Sequence, residues 1–336
     1  MMRQRLANVV SWTAGGRVDA LRRPRHPRDS SAPPSDGASG AAQFTAIVNP
    51  VSGGASQAAT LRAVTRQIRA AGHELCVQLT RGAGDATRLA AAVPDGTRAV
   101  LVVGGDGTAR EVASALVGRD IPMVIARSGT ENLLAKDLEM PTSPADLVEA
   151  LLHGERCHSD IGRAGERRFF VVAGIGFDAE VVRRLHARRD GHIDHLDYAE
   201  PIWRTFWTHR FPHLDVEADG AQVYSGPGFA IVNVVPRYAV GLPIAPRARR
   251  DDGLLDLTVF PCSNCLRLLG HAAAVMLGRN GDLNGAIMGQ AQRIRISSPQ
   301  SVPVQLDGDD AGTLPVTLTV EPSRALFLRL PARRGP

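Results

Sequence analysis

Between residues 44 and 138 the sequence repeats one pattern four times: an apolar run, a loop containing glycine or a small polar residue, then an amphipathic stripe. "FTAIV" leads into "NPVSGGAS" and the stripe Leu61, Val64, Ile68. "HELCVQLT" leads into "RGAGDATRLAAAV", "AVLVV" into "GGDGTAREVASALVG", and "PMVIA" into "RSGTENLLAKDL". Short apolar runs without polar alternation predict strands covered on both faces, and the stripes predict helices. Strands alternating with helices predict a parallel α/β sheet. Right-handed crossovers then gather the loops that follow the strands at one edge, where open α/β sheets take ligands.

Three of those loops share a chemistry: "NPVSGG", "GGDGT" and "SGTEN". Glycine lets backbone approach an anion closely, and the N–H groups and dipole of the next helix favour phosphate. Ser52, Thr108 and Thr130 add hydroxyls. Three such loops on one edge predict a phosphate site rather than plain turns. It is not a Walker A loop, since GK[ST] is missing, nor a Rossmann fingerprint, since the G-x-G-x-x-G spacing is missing. Asp106 sits inside the glycine turn, where a bare carboxylate would repel phosphate. Its expected role is to hold Mg²⁺ or to orient the loop by a hydrogen bond.

Near residue 160 the texture changes. "RRFFVVAGIGFDAEVV", "HLDVEADG", "GFAIVNVV", "GLLDLTVF", "QRIRISS", "VPVQLDGD" and "VTLTV" read as short strands, interrupted by one clear helix, "CLRLLGHAAAVMLG". This half predicts an antiparallel sandwich or barrel. The expected division is a flexible basic tail over 1–42, an α/β domain over 43–160 that 322–336 could rejoin, and a β-rich domain over 161–321.

Composition narrows the function. The chain has 336 residues, enough for two cores, and carries a net charge of +5. Lys136 is the single lysine, so the basicity is arginine, whose fork of donors suits phosphate. With 4% aromatics, stacking on single-stranded nucleic acid is not expected. No apolar run reaches the length of a membrane span, and Leu6 to Val10 is too short for a secretory signal. The expectation is a cytoplasmic protein with at most peripheral contact at the inner membrane face. Cys76, Cys157, Cys262 and Cys265 make no disulfide framework. The "PCSNC" pair lacks the second pair of a zinc ribbon and reads as two ordinary thiols at a strand end.

"GGDGT" after a buried strand, with "NPVSGG" upstream and "GTEN", "GIGFDAEVV", "DDGLLDL" and "LDGD" downstream, resembles the diacylglycerol kinase catalytic domain family. That family includes bacterial diacylglycerol and related lipid kinases and the sphingosine and ceramide kinases. The resemblance covers about residues 44 to 330. It implies an NAD kinase-like α/β nucleotide domain, a β-sandwich-like lipid-substrate domain, and an active site in the cleft between them. It implies ATP contacts at Asn49, Pro50, Ser52, Gly53, Thr80, Gly104, Gly105, Asp106, Gly107, Thr108, Arg110, Thr130 and Asn132. It further implies a structural Mg²⁺ on Asp252 and the carbonyls of Arg249 and Leu254, and a catalytic segment at Asp307 and Asp309. The sequence departs from the family at Arg110 (often Asn), Leu133 (often Asp) and Asp309 (usually Glu). The activity implied is transfer of the ATP γ-phosphoryl group to a lipid hydroxyl at a membrane surface. An NAD kinase and a non-catalytic nucleotide-binding regulator are the alternatives.

A lipid hydroxyl needs a proton acceptor, and Asp307 and Asp309 lie two residues apart. Continuing the strand "VPVQL", they would share a face. As Asp-Gly, they would form a hairpin turn. Trp203, Phe206 and Trp207 share a helical face, expected to be core under the β-domain rather than a lipid-facing patch. His186, His192 and His195 are not expected to form a metal site, and Arg183, Arg184, Arg188 and Arg189 are expected to be a solvated face. Lys136, one turn beyond "GTEN", is a weaker candidate for phosphate.

Overall fold

The computed structural model describes residues 13–14, 41–129, 131–186, 199–238, 241–278 and 285–330. In chain order the elements are β1 (Thr13–Ala14), β2 (Gln43–Val48), α1 (Gly54–Ala70), β3 (Glu74–Leu79), α2 (Asp85–Ala91), β4 (Ala99–Gly104), α3 (Asp106–Leu116), β5 (Met123–Arg127), α4 (Leu133–Asp137) and α5 (Pro144–His153). Then come β6 (Glu155–Ser159), β7 (Gly162–Ala164), β8 (Arg167–Phe169), β9 (Val172–Ile175), α6 (Phe177–His186), α7 (Ala199–Thr208), β10 (His213–Ala218), β11 (Ala221–Asn233) and β12 (Leu255–Pro261). The last are α8 (Cys265–Met276), β13 (Ile287–Ala291), β14 (Arg293–Ser297), β15 (Pro303–Leu306), β16 (Asp309–Thr313), β17 (Val316–Val320) and β18 (Ala325–Arg329).

These elements form two compact units. The α/β unit has the strand order β3-β2-β4-β5-β18-β6. Strands β3, β2, β4, β5 and β18 run parallel, and β6 is antiparallel to β18. Helix α1 packs with α5, and α2 packs with α3. Phe44, Ile47, Val100, Leu101, Val102, Val124 and Ile125 are fully buried, as continuous apolar strands require when both sheet faces are covered. The chain leaves β2 for β3 on one side and later enters β4 on the other, so the order reverses at β2. The loops after β2 and β4 therefore open at a switch point. Strand β18, from the far end of the sequence, is held beside β6 by Arg324, whose Nε lies 2.8 Å from the buried Asp160 carboxylate.

The β unit is an antiparallel sheet of twelve strands whose main path is β1-β13-β12-β11-β10-β14-β17-β7-β8, with β9, β15 and β16 branching from it. The 13-residue β11 pairs β10 along its first half and β12 and β9 along its second. Gly226 and Pro227 stand at the changeover, where a strand passing between layers must bend.

Three expectations are corrected. "GFDAEVV" is helical, not a strand: Gly176, at φ +88°, turns the chain from β9 into α6. Thr13–Ala14, inside the expected tail, pair with Met288 and Ile287 of β13. Helix α7 does not bury its tryptophans: Trp203 is 64% and Trp207 60% exposed. Its buried side instead rests on Pro201 and Thr205, small enough to sit against α6. Residues 15–40, His192, His195, Arg188 and Arg189 lie outside the described residues.

Candidate functional site

In the α/β unit the three loops are locked together through contacts that sequence alone does not reveal. Asn49 Nδ2 donates to Thr108 Oγ1 at 3.3 Å, joining the loop after β2 to the first turn of α3. Asn49 Oδ1 accepts the Val51 N–H, and Ser52 Oγ donates to the Asn49 carbonyl. Gln57, buried on α1, places its Nε2 within 3.0–3.4 Å of the Asn49 and Val103 carbonyls and of Ser52 Oγ and Ser128 Oγ. One amide thus serves the ends of β2, β4 and β5. Sequence reading missed it, because nothing in "GGASQ" distinguishes a strut from a solvated glutamine.

The glycines here are positions of contact. A Cβ on Gly104 would meet the Thr108 side chain at 2.6 Å, and one on Gly129 would meet Gly105 Cα at 2.6 Å. The loops after β4 and β5 therefore touch backbone to backbone. Asn132, at φ +51°, accepts the Gly129 N–H through Oδ1 and donates back to the Gly129 carbonyl, closing the third loop. Among the described residues no side chain caps α1 at Gly53 or α3 at Gly105. Two helix starts thus lack a side-chain cap, and the dipole there favours an anion.

Asp106 opens α3, and its Oδ1 accepts the Leu134 N–H at 3.4 Å, tying the turn to α4. Thr80 is buried just after β3, and its N–H donates to the Val48 carbonyl. Its loop is held from α3: Glu111 accepts the Gly84 and Thr87 N–H groups at the start of α2. The structure thus gathers Asn49, Ser52, Gly53, Thr80, Gly104, Gly105, Asp106, Thr108 and Asn132 at one end of the sheet. Pro50 and Gly107 are exposed there, and Arg110 lies half-buried on α3. Thr130 lies outside the described residues. Lys136 reaches Glu131, 3.8 Å away.

In the β unit, Asp307 and Asp309 do not continue one strand. Asp307 and Gly308, at φ +49° and +85°, are the two-residue turn between β15 and β16, and Asp309 pairs with Leu306. The left-handed pair is the geometry that Asp-Gly favours in a hairpin. The Asp307 carboxylate accepts the N–H groups of Phe170, Val171 and Val172 at 2.8, 2.9 and 2.9 Å. It anchors the hairpin to the start of β9. Asp309 stands half-buried at the first position of β16. Its neighbour Asp310 is engaged by Arg183 at 3.3 Å and by the Gly312 N–H.

Beneath the hairpin lies a third carboxylate. Asp178 Oδ2 accepts Gln305 Nε2 at 2.7 Å and the Tyr238 hydroxyl at 3.4 Å. Gln305 Oε1 in turn accepts the Gly308 N–H at 2.7 Å. Burial raises the Asp178 carboxyl to about 6, against the opposing hydrogen bonds from Gln305 and Tyr238. Gly174 is glycine because a Cβ there would strike Asp178 Oδ2 at 1.9 Å. The one sequence signal for this cluster is "GIGFD".

In the turn before β12, Asp252 Oδ1 accepts the Leu254 N–H at 3.2 Å. Gln290 Nε2 bridges Asp252 Oδ2 and Asp256 Oδ2 at 3.3 and 3.1 Å. Arg249 lies three residues upstream, its side chain 3.5 Å from Asp251. Burial raises the Asp256 carboxyl to about 7, opposed by the Gln290 hydrogen bond and reinforced by the Asp252 charge. The Gln290 amide nitrogen thus stands between the two carboxylates, and among the described residues no group of three or more His, Cys, Asp or Glu side chains is placed to hold a metal ion. Cys262 and Cys265 are free thiols, with Cys262 buried and pushed up to about 11 by that burial.

An α/β unit with glycine loops at its switch point, followed by an antiparallel β unit, defines a two-part class of fold. Residues 43–164 match the family described as "Diacylglycerol kinase catalytic domain", and 171–329 match "YegS C-terminal NAD kinase beta sandwich-like domain". A "Diacylglycerol kinase" of Mycobacterium tuberculosis is 30% identical over 295 residues, 85% of this chain and 95% of the relative. A "Probable lipid kinase YegS-like" of Pseudomonas fluorescens is 29% identical, covering 81% of this chain and 90% of the relative. The crystal structure of a putative diacylglycerol kinase from Bacillus anthracis has the same fold, with a TM-score of 0.71 at 22% identity over 86% of this chain and 98% of that one. The chain belongs to the diacylglycerol kinase catalytic domain family, a family of lipid kinases.

Proposed function

We propose that the protein transfers the γ-phosphoryl group of ATP to the hydroxyl of a lipid such as diacylglycerol. The observation that carries this reading is the mutual locking of three glycine loops beside two uncapped helix starts, α1 and α3. Preorganised N–H groups of this kind receive phosphate oxygens without paying to order the loop first. Asn49, Ser52, Gly53, Gly104, Gly105, Thr108, Thr130 and Asn132 would hold the nucleotide phosphates, and Thr80 would lie on the nucleotide side. Mg²⁺, when bound, would spread the charge of the transferring group, with Asp106 holding it and Asp252 binding a second, structural ion.

In this reading Asp309 takes the proton of the attacking hydroxyl. Asp307 is committed to three backbone N–H groups, so it positions the hairpin, and Asp310 is engaged by Arg183 and the Gly312 N–H, which leaves Asp309 as the carboxylate of this segment assigned to the proton. The alternative acceptor is NAD. The test supplies purified protein with labelled ATP and Mg²⁺, together with diacylglycerol, monoacylglycerol, a sphingoid base, a polyprenol or NAD. Label in one of the lipids is the expected result. Label in NAD alone, or in none of them, overturns the reading.

A further inference from the structure

We infer that Gln305 and Asp178 are positioning residues for the phosphoryl transfer: Asp178 sets the direction of the Gln305 amide, and that amide holds the turn from which Asp309 follows. The inference rests on the kinase reading for the role of Asp309. An amide side chain has a donor end and an acceptor end, so its partners decide which way it points. A backbone N–H can only donate, and the Gly308 N–H therefore requires Gln305 Oε1, 2.7 Å away. That choice turns Nε2 towards α6, where Asp178 Oδ2 accepts it at 2.7 Å. The Tyr238 hydroxyl closes the set. It accepts from Gln305 Nε2 at 3.2 Å and donates to Asp178 Oδ2 at 3.4 Å. A carboxylate below thus keeps the amide oxygen at the turn above.

The fold makes room for this pair. Gln305 has no exposed surface and stands opposite Gly174 of β9 in the strand register. A Cβ on Gly174 would lie 1.9 Å from Asp178 Oδ2 and 2.7 Å from Gln305 Nε2. Gly174 is not among the positive-φ glycines, so its missing side chain answers to space and not to backbone strain.

The turn is held from two sides. The Asp307 carboxylate grips the N–H groups of Phe170, Val171 and Val172, and Gln305 grips Gly308. Glycine has the freest backbone of any residue, so Gly308 is where the turn would otherwise give. Asp309 comes next and pairs with Leu306. Its backbone is then set before a lipid hydroxyl arrives, and a catalytic group displaced by about 1 Å can cost on the order of 10²-fold in rate. None of these residues belongs to the glycine loops, so the loss belongs in kcat and not in KM for ATP.

Two measurements test this, one of them without turnover. Hydrogen exchange at the Gly308 amide, followed by NMR, reads the bond itself. Gln305→Met and Asp178→Ala should each speed that exchange about tenfold or more, while the amides of Phe170, Val171 and Val172 stay as protected as in wild type. With labelled ATP and diacylglycerol, the same two variants should each lose roughly tenfold to a hundredfold in kcat, with KM for ATP within about twofold of wild type. Asp178→Asn keeps an oxygen for Gln305 Nε2 and should stay within about threefold of wild type. Because Asp178 acts through Gln305, the double variant should lose no more than the worse single one. Both single variants carry both readouts, so failure of one to fold leaves the other to decide. Unchanged Gly308 exchange, near wild-type turnover, additive losses in the double variant, or losses that follow melting temperature instead of Gly308 exchange would overturn the inference. A wild type that phosphorylates no lipid overturns the kinase reading itself, and this role with it, whatever the exchange shows.

Discussion

Asp307 and Asp309 are chemically alike and two residues apart, yet their surroundings differ: Asp307 accepts three backbone N–H groups, and Asp309 stands half-buried at the start of β16. Asp309→Asn is expected to lose on the order of 10²- to 10⁴-fold in kcat with little change in KM for ATP, and Asp309→Glu to retain turnover. Asp307→Ala should instead lower stability in urea, by on the order of 1–3 kcal/mol for each backbone N–H left unmet. Equal kinetic losses with unchanged stability in both would contradict this division. "LDGD" made both aspartates candidates and left strand and hairpin open. The anchoring of Asp307 was not legible, because its partners Phe170, Val171 and Val172 come from a remote segment. Asp178 yields a prediction of another kind. It titrates at 3.8 when unfolded and at about 6 when folded, so the folded chain holds the extra proton between those values. Stability contributed by this group is therefore full below about pH 4, falls as pH rises to about 6, and is level above. Asp178→Asn should flatten that part of the stability–pH curve, a difference of roughly 3 kcal/mol at most. Parallel curves for the two proteins would remove Asp178 as the cause.

Among the elements, the loop ends of β4 and β5 meet backbone to backbone. Gly129→Ala must separate them, since its Cβ would sit 2.6 Å from Gly105 Cα. The expected cost is about 1–3 kcal/mol of stability, with a loss of ATP affinity larger than that of an exposed control such as Gly107→Ala. Calorimetric titration of both variants checks this, and equal affinities would mean that the loop contact does not shape the site. The first α/β elements were readable because β2, β4 and β5 are largely apolar and α1, α2 and α3 each begin at a glycine. Helix α6 was not, because "FDAEVV" has strand-like composition and only the positive φ of Gly176 marks the turn. Helix α7 misled for a different reason. A chain with 4% aromatics seemed to need its tryptophans inside, but the core is filled by Phe44, Phe169, Phe170 and Phe327.

For the molecule as a whole, the Asp252 turn offers a test of cation binding that does not depend on turnover. Mg²⁺ should raise the melting temperature of wild type and leave that of Asp252→Ala unmoved; equal shifts would place the ion elsewhere. The return of β18 has a larger effect. Strand β18 stands between β5 and β6 in the sheet, so a chain ending at Val320 is expected to lose the cooperative thermal transition of its α/β unit. Retention of that transition would show that the sheet closes without β18. The same strand sets an order of events on the ribosome. Every other strand of the sheet has been synthesised by Ser159, but the gap beside β5 stays open until Ala325–Arg329 emerge. At about 5–20 residues per second that interval is on the order of ten seconds or more. The β unit, finished at Val320, can fold first, and the newborn glycine loops wait on the last strand to be made.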